Sequence, residues 1–436
     1  MKISPLLLPS LSFLFSWFIY ALILIASPVH GSGGDVWAAA TICASFVLVA
    51  VLTSLVFLLF AKMPDANKKI PNNPINGKGS TINRYIRWAM LLAIVGTLLL
   101  WFDRVYIQGI DYSKGIAAAR EAWNRAGAGR VGVSSIASVL GYLFSGCLFP
   151  MLAILCVNWE RINKTLKYFS SFISLTLIAA NSILIGGRSI IMLAGIVIIS
   201  ACLTRPIIRR KFLPGKTVLV YFVITSLAVS AVGYSLWVFS VRAETGGTPP
   251  TVYLENMTRY LGGEVSLQLN TWLDTLREPV RSITAYTILA SEYLTHNFWT
   301  LSNALMQNVH PGRVTFVFIQ ELLSKLSLAN PPEPHYLPGR FFSLPAAFWY
   351  DYGFIGVLIS AMTVGAGISV GTLLSVYAED SLIAMMMAII LFSIALLSPL
   401  IFAADVMYFP FMILGFLLIG IIKVVYVMLR AASSQV

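Results

Sequence analysis

Charge is what this sequence has least of. Asp, Glu, Lys and Arg make up 11% of its 436 residues against 58% hydrophobic, and the mean hydropathy is +0.82. So few charges cannot cover a water-soluble surface, and several apolar runs exceed the roughly 18 residues that cross a bilayer. A soluble enzyme is excluded. The expected fold class is an all-α polytopic membrane protein.

Cysteine and histidine are nearly as scarce. The four cysteines, Cys43, Cys147, Cys156 and Cys202, stand in apolar runs without a CxxC pair. That excludes a disulfide framework and a thiolate metal centre, and leaves small core residues. The four histidines, His30, His296, His310 and His335, form no HExxH and no pair at helical spacing. A Walker loop to cradle phosphates and a GxSxG elbow are missing too, so nucleotide-driven transport and serine hydrolysis lack their residues. The chemistry to be sought here requires no metal and no other cofactor. There is no internal repeat and no low-complexity tract.

What the chain does have is apolar length. Ten spans are expected, near 5–27, 36–61, 86–102, 135–157, 168–185, 189–204, 217–240, 353–377, 381–402 and 406–429. The first is too long for a signal-peptide core and reads as a retained span. Lysine and arginine set the orientation. Loops 62–87, 158–167 and 204–216 carry Lys62, Lys68, Lys69, Arg161, Lys164, Arg205, Arg209 and Arg210 among others, and share one side with both termini. That side is expected to be cytoplasmic. The net charge of +12 is thereby mostly a topology signal, and the partner it implies is a lipid bilayer, not nucleic acid.

The other side holds a loop at 103–134 and one of about 110 residues at 241–352. The chain thus divides into a seven-span N-terminal bundle (1–240), a large outer loop (241–352) and a three-span C-terminal bundle (353–436). Within the large loop, Ile283–Met306 and Val314–Ala329 have apolar residues at helical spacing broken by Glu292, His296, Glu321 and Lys325. Such runs suit amphipathic helices on the membrane face better than spans.

Long loops escape the positive-inside rule, so something else keeps their arginines. Arg188 stands at the tip Gly186-Gly187-Arg188 between two short spans, where a guanidinium near hydrocarbon costs on the order of 3 kcal/mol without a partner. Glycines there permit a tight reversal and leave N–H groups of the next helix open to phosphate oxygens. A snorkelling anchor is the alternative. The outer loops add Arg104, Arg125, Arg130, Arg277 and Arg281 together with Arg120, Arg242, Arg259, Arg313 and Arg340, and the last five, with His335, are the candidate ligand contacts. Guanidinium groups fit phosphate with two bonds at once, so the set points to an anionic ligand. An interfacial belt accounts for most of the dense aromatics, although sugar rings stack on such faces too. Asp351 and Glu264 are the candidate proton acceptors, with helix capping as the plainer role for Asp351.

The stretch Phe342-Ser343, nine residues from Leu344 to Tyr352, then Gly353-Phe354-Ile355-Gly356 resembles a motif of the O-antigen ligase and polymerase superfamily. Ligases there carry His-(Asn/Ser/Gln), nine residues and Gly-x-x-Gly. Arg188 is similar to the superfamily's arginine at an outward helix end. Phe342 replaces the ligase histidine, which points to the sister class, the Wzy-type polymerases of lipid-linked oligosaccharide repeat units. The resemblance implies a GT-C-like, metal-independent glycosyltransferase of a bacterial inner membrane, with its site facing the periplasm. Its substrates would be undecaprenyl-pyrophosphate-linked oligosaccharides, and its partner a chain-length-regulating co-polymerase. Arg188 would hold pyrophosphate with Arg259 and Arg340, and Asp351 or Glu264 would act as base. An O-antigen ligase and a lipid-linked oligosaccharide flippase are the alternatives.

Overall fold

The computed structural model describes residues 4–31, 34–61, 78–128, 134–185, 187–214, 232–244, 246–306, 312–317, 319–320, 323, 329–330, 341–378, 381–406 and 408–433. The protein is an all-α polytopic membrane protein. Among the described residues eight helical stretches are long and apolar enough to cross a membrane, and Leu382–Leu397 is a shorter apolar helix beside them. These match nine of the ten expected spans. The remaining one, 217–240, falls mostly outside the described residues.

The helices are α1 (Leu8–Ala26), α2 (Val36–Phe60), α3 (Lys78–Phe102), α4 (Ile116–Ala128), α5 (Ile136–Ser145), α6 (Leu148–Val157), α7 (Lys164–Ile185) and α8 (Ser189–Ile207). They continue with α9 (232–244), α10 (Pro250–Leu261), α11 (Leu267–Thr275), α12 (Val280–Ala304), α13 (Leu344–Val376), α14 (Leu382–Leu397) and α15 (Phe409–Ser433). Local sequence explains many starts. Asp35, Ser135 and Ser381 cap α2, α5 and α14 by accepting backbone N–H groups, and prolines occupy the first turns of α1, α10 and α13. A three-residue ribbon joins β1 (Val29–Gly31) to β2 (Gly263–Val265), antiparallel, with His30 opposite Glu264.

Three packed units build the molecule. One gathers α3 and α5–α8 with α14 and α15; a second gathers α1 and α2 with α12 and α13. The third is made by α9–α12 with Val29 of the ribbon.

Helix α12 corrects the sequence reading. It was expected to lie on the membrane face, yet from Thr295 to Ser302 every residue is buried. Two of its polar residues, Asn297 and His296, find partners far along the chain. Asn297 accepts from the Tyr20 hydroxyl and donates to the carbonyls of Pro399 (2.9 Å) and Leu400 (2.5 Å). Helix α13 differs as well. The expected span begins at 353, but the helix starts at Leu344 and breaks at Gly353, whose φ of 61° lies in the left-handed region. A Cβ on Gly356 would stand 2.5 Å from the Phe348 carbonyl oxygen. The Gly-x-x-Gly thus builds a bend into the helix. Arg205, read as a solvated topology charge, is instead fully buried at the far end of α8. It is ion-paired with Glu160 and donates to the Cys156 and Lys211 carbonyls, both at 2.7 Å.

Candidate anion-binding site

The site is built around the turn between α7 and α8. Arg188 is the N-cap residue of α8, where the first turn's N–H groups lack partners within the helix. Its guanidinium carbon lies 4.3 Å from the ring centre of Phe239 on α9 and 4.8 Å from that of Tyr293 on α12. The two rings hold the cation by their faces and leave its N–H edge open to a ligand.

Arg120 from α4 and Arg242 from α9 converge on the same place. Burial holds the Arg188 guanidinium below its usual range, and repulsion from Arg242 and Arg120 adds to the effect, while Tyr293 and Tyr253 oppose it. Arg120 is lowered in the same way, by burial first and then by Arg242. Burial pushes the Tyr253 hydroxyl up, and the charges of Arg242 and Arg188 pull the other way. The Tyr234 hydroxyl is buried without a hydrogen-bond partner among the described residues. Half-buried cations that repel one another favour a ligand that brings negative charge. Several guanidinium groups, tyrosine hydroxyls and a helix N-terminus suit a multiply charged phosphate ester.

Beside this cluster runs an apolar groove of about 820 Å³ between α3 and α7. Thr97, Leu98 and Trp101 line one wall and Ala180, Ile183 and Leu184 the other. The Tyr112 hydroxyl closes its end by donating to the Leu184 carbonyl at 2.9 Å, in the last turn of α7 before Arg188.

The other expected residues that are described stand on α10, the ribbon, α13 and the 312–317 turns. Arg259 is exposed on α10 and ion-paired with Glu255 at 2.8 Å, an ordinary pair at i, i+4. Arg313 is half-buried in the turns at 312–317. Arg340 and His335 lie outside the described residues. Glu264 is exposed on the ribbon. Asp351 is fully buried and accepts from the Thr315 backbone N–H (2.7 Å), the Thr315 hydroxyl (2.6 Å) and the Val314 N–H (3.0 Å). It caps the 312–317 turns from the side and not the helix it stands in. Phe342 is fully buried, packed 5.5 Å from the Tyr350 ring, and Ser343 is the N-cap residue of α13. A histidine does stand beside this motif. His296 Nε2 accepts the Phe341 N–H at 3.2 Å, and Nδ1 faces the Tyr293 carbonyl at 3.0 Å. Both ring nitrogens are engaged, which fixes the ring as a support for Tyr293 and Phe341.

Sequence reasoning missed Tyr234, Tyr293 and Phe239 as parts of the site. Their spacing carries no signal, because α4, α8, α9 and α12 meet only through the tertiary fold. No family model, characterised protein or solved structure matches this chain.

Proposed function

We propose that this protein polymerises oligosaccharide repeat units carried on undecaprenyl pyrophosphate, at the periplasmic face of a bacterial inner membrane. The observation that carries this reading is the convergence of Arg120, Arg188 and Arg242 on tyrosines and an aromatic shelf at a helix N-terminus. A lipid pyrophosphate supplies what that cluster wants, a compact polyanion next to an apolar chain, and the groove between α3 and α7 offers the chain a place. In this reading a hydroxyl of the incoming unit attacks the anomeric carbon of the growing glycan. The bond to pyrophosphate breaks, and the arginines hold the developing negative charge as lipid pyrophosphate leaves. Glu264 is exposed and takes the hydroxyl's proton, while Asp351, saturated by Val314 and Thr315, positions the neighbouring chain.

Both termini are cytoplasmic in this account, and a co-polymerase sets chain length. The ligase alternative fits less well, since Phe342 can exchange no proton and is packed into the core. The test uses purified protein in detergent with lipid-linked repeat units as substrate. Elongated lipid-linked glycan and released undecaprenyl pyrophosphate support the reading; unchanged units reject it.

A further inference from the structure

Beneath the β1–β2 ribbon lies a buried carboxylate that the proposed reaction does not use. Glu292, on α12, is 0% exposed, and neither of its oxygens has a hydrogen-bond partner among the described residues. The Trp299 indole N–H and the Thr258 hydroxyl are also buried and unpartnered. The ribbon covers these groups through the glycine pair Gly31–Gly263, which are partners in register. A Cβ on Gly31 would meet the Trp299 ring at 2.6 Å. One on Gly263 would meet Glu292 Oε1 and the Thr258 methyl, each at 3.0 Å. Glycine is thus required on both strands for the ribbon to lie flat on α12.

We infer that Glu292 is a proton-operated latch: as a neutral acid it lets the glycine ribbon close over α12, and as an anion it drives the ribbon off. The inference stands apart from the glycan reading. Burying a lone carboxylate anion is costly, and a buried acid of this kind stays protonated. Burial accordingly pushes the Glu292 carboxyl up from 4.5 to about 7, with the Trp299 N–H offsetting part of the rise.

Among the described residues no cation acts on Glu292. The titratable groups around it are Tyr20 on α1, with Cys43 on α2 behind it, and His296 one turn along α12 with both nitrogens engaged. From α10 comes Thr258, while α11 and α13 bring no titratable group to it among the described contacts; Asp351 of α13 is committed to Val314 and Thr315. His30 and Glu264 lie on the ribbon's outer, exposed face. An anion in this place has only Trp299 and Thr258 to bond, fewer partners than water gives it. The ribbon, three residues per strand, is the weakest cover available to move. Opening it loosens α10 and α12, which carry Tyr253 and Tyr293 of the arginine cluster.

The sign follows from proton binding. The closed state holds the proton up to about pH 7, whereas the open, solvated carboxyl releases it from about 4.5. Closure is therefore strongest at low pH, weakens as pH rises between those values, and levels off above about 7. The full difference is on the order of 10²-fold in the open–closed balance.

Hydrogen exchange of the purified protein, read by mass spectrometry on peptides covering 29–31 and 263–265 and corrected for intrinsic rates, tests this. Between about pH 5 and about pH 8, wild-type opening should rise on the order of 10²-fold. Glu292→Gln, neutral at every pH, should stay closed throughout, and His30→Asn should keep the wild-type pH dependence. Opening that ignores pH in the wild type, survives in Glu292→Gln, or vanishes in His30→Asn overturns the latch. If Glu292→Gln does not fold, the infrared carbonyl band of a protonated acid in the wild type decides. It must fade with the same midpoint as ribbon opening, and separate midpoints reject the inference.

Discussion

A guanidinium held between two aromatic faces has its edges left for a ligand, and this is the position of Arg188. Lysine would keep the charge and lose both the stacking and the two-bond fit to phosphate. Arg188→Lys is expected to cut polymer yield about 10²-fold or more at unchanged protein level, the range for losing one charge-stabilising donor. Arg259→Lys should leave the yield unchanged, because Arg259 is exposed and paired with Glu255. Glycan ladders from both variants check this, and equal losses would dissolve the cluster as the site. At this scale the sequence was partly legible. Gly-Gly-Arg marked Arg188 because a charged hairpin tip between apolar spans is costly. Arg120 and Arg242 stood out only as members of a set, since nothing local separates them from Arg259. Tyr253 reads as interfacial belt until the charges of Arg242 and Arg188 are seen to act on its hydroxyl.

Among the elements, α13 carries the most information. Its bend at Gly353 places Asp351 against the 312–317 turns, where the carboxylate takes two backbone N–H groups and a hydroxyl. Asp351→Asn keeps the shape but offers one acceptor oxygen in place of two. It should lower thermal stability by about 2 kcal/mol, the cost of unsatisfied buried donors. If Asp351 were the reaction's base, the variant would lose polymer while melting normally. A second element test lies at Arg205. Glu160→Gln leaves a buried cation without its anion and should cost about 2 kcal/mol in a thermal melt. That is less than for a fully buried pair, because the Cys156, Val157 and Lys211 carbonyls keep their bonds to Arg205. Most helices were legible from apolar length and α12 from its helical spacing, but the burial of α12 was not. Glu292, His296 and Asn297 break its periodicity like surface residues, and the partners of Asn297 and His296, namely Tyr20, Leu400 and Phe341, are remote in sequence. Periodicity reports water on one face and cannot report a polar layer inside a bundle.

For the whole molecule, the proposed function has α10 and α12 on the outer side of the membrane with the arginine cluster. Glu255→Cys on α10 should react with a membrane-impermeant maleimide in intact spheroplasts, and labelling only after lysis would invert the topology. The cluster, the groove beside it and the aromatic shelf then face the compartment where lipid-linked glycans are assembled without ATP. Deleting the gene tests the central claim most directly, by resolving the surface glycan of the strain on a gel. If the protein joins repeat units, the acceptor lipid should carry a single unit, because attachment proceeds while elongation stops. Bare acceptor lipid with long glycans still on undecaprenyl pyrophosphate, or a normal ladder, would contradict it.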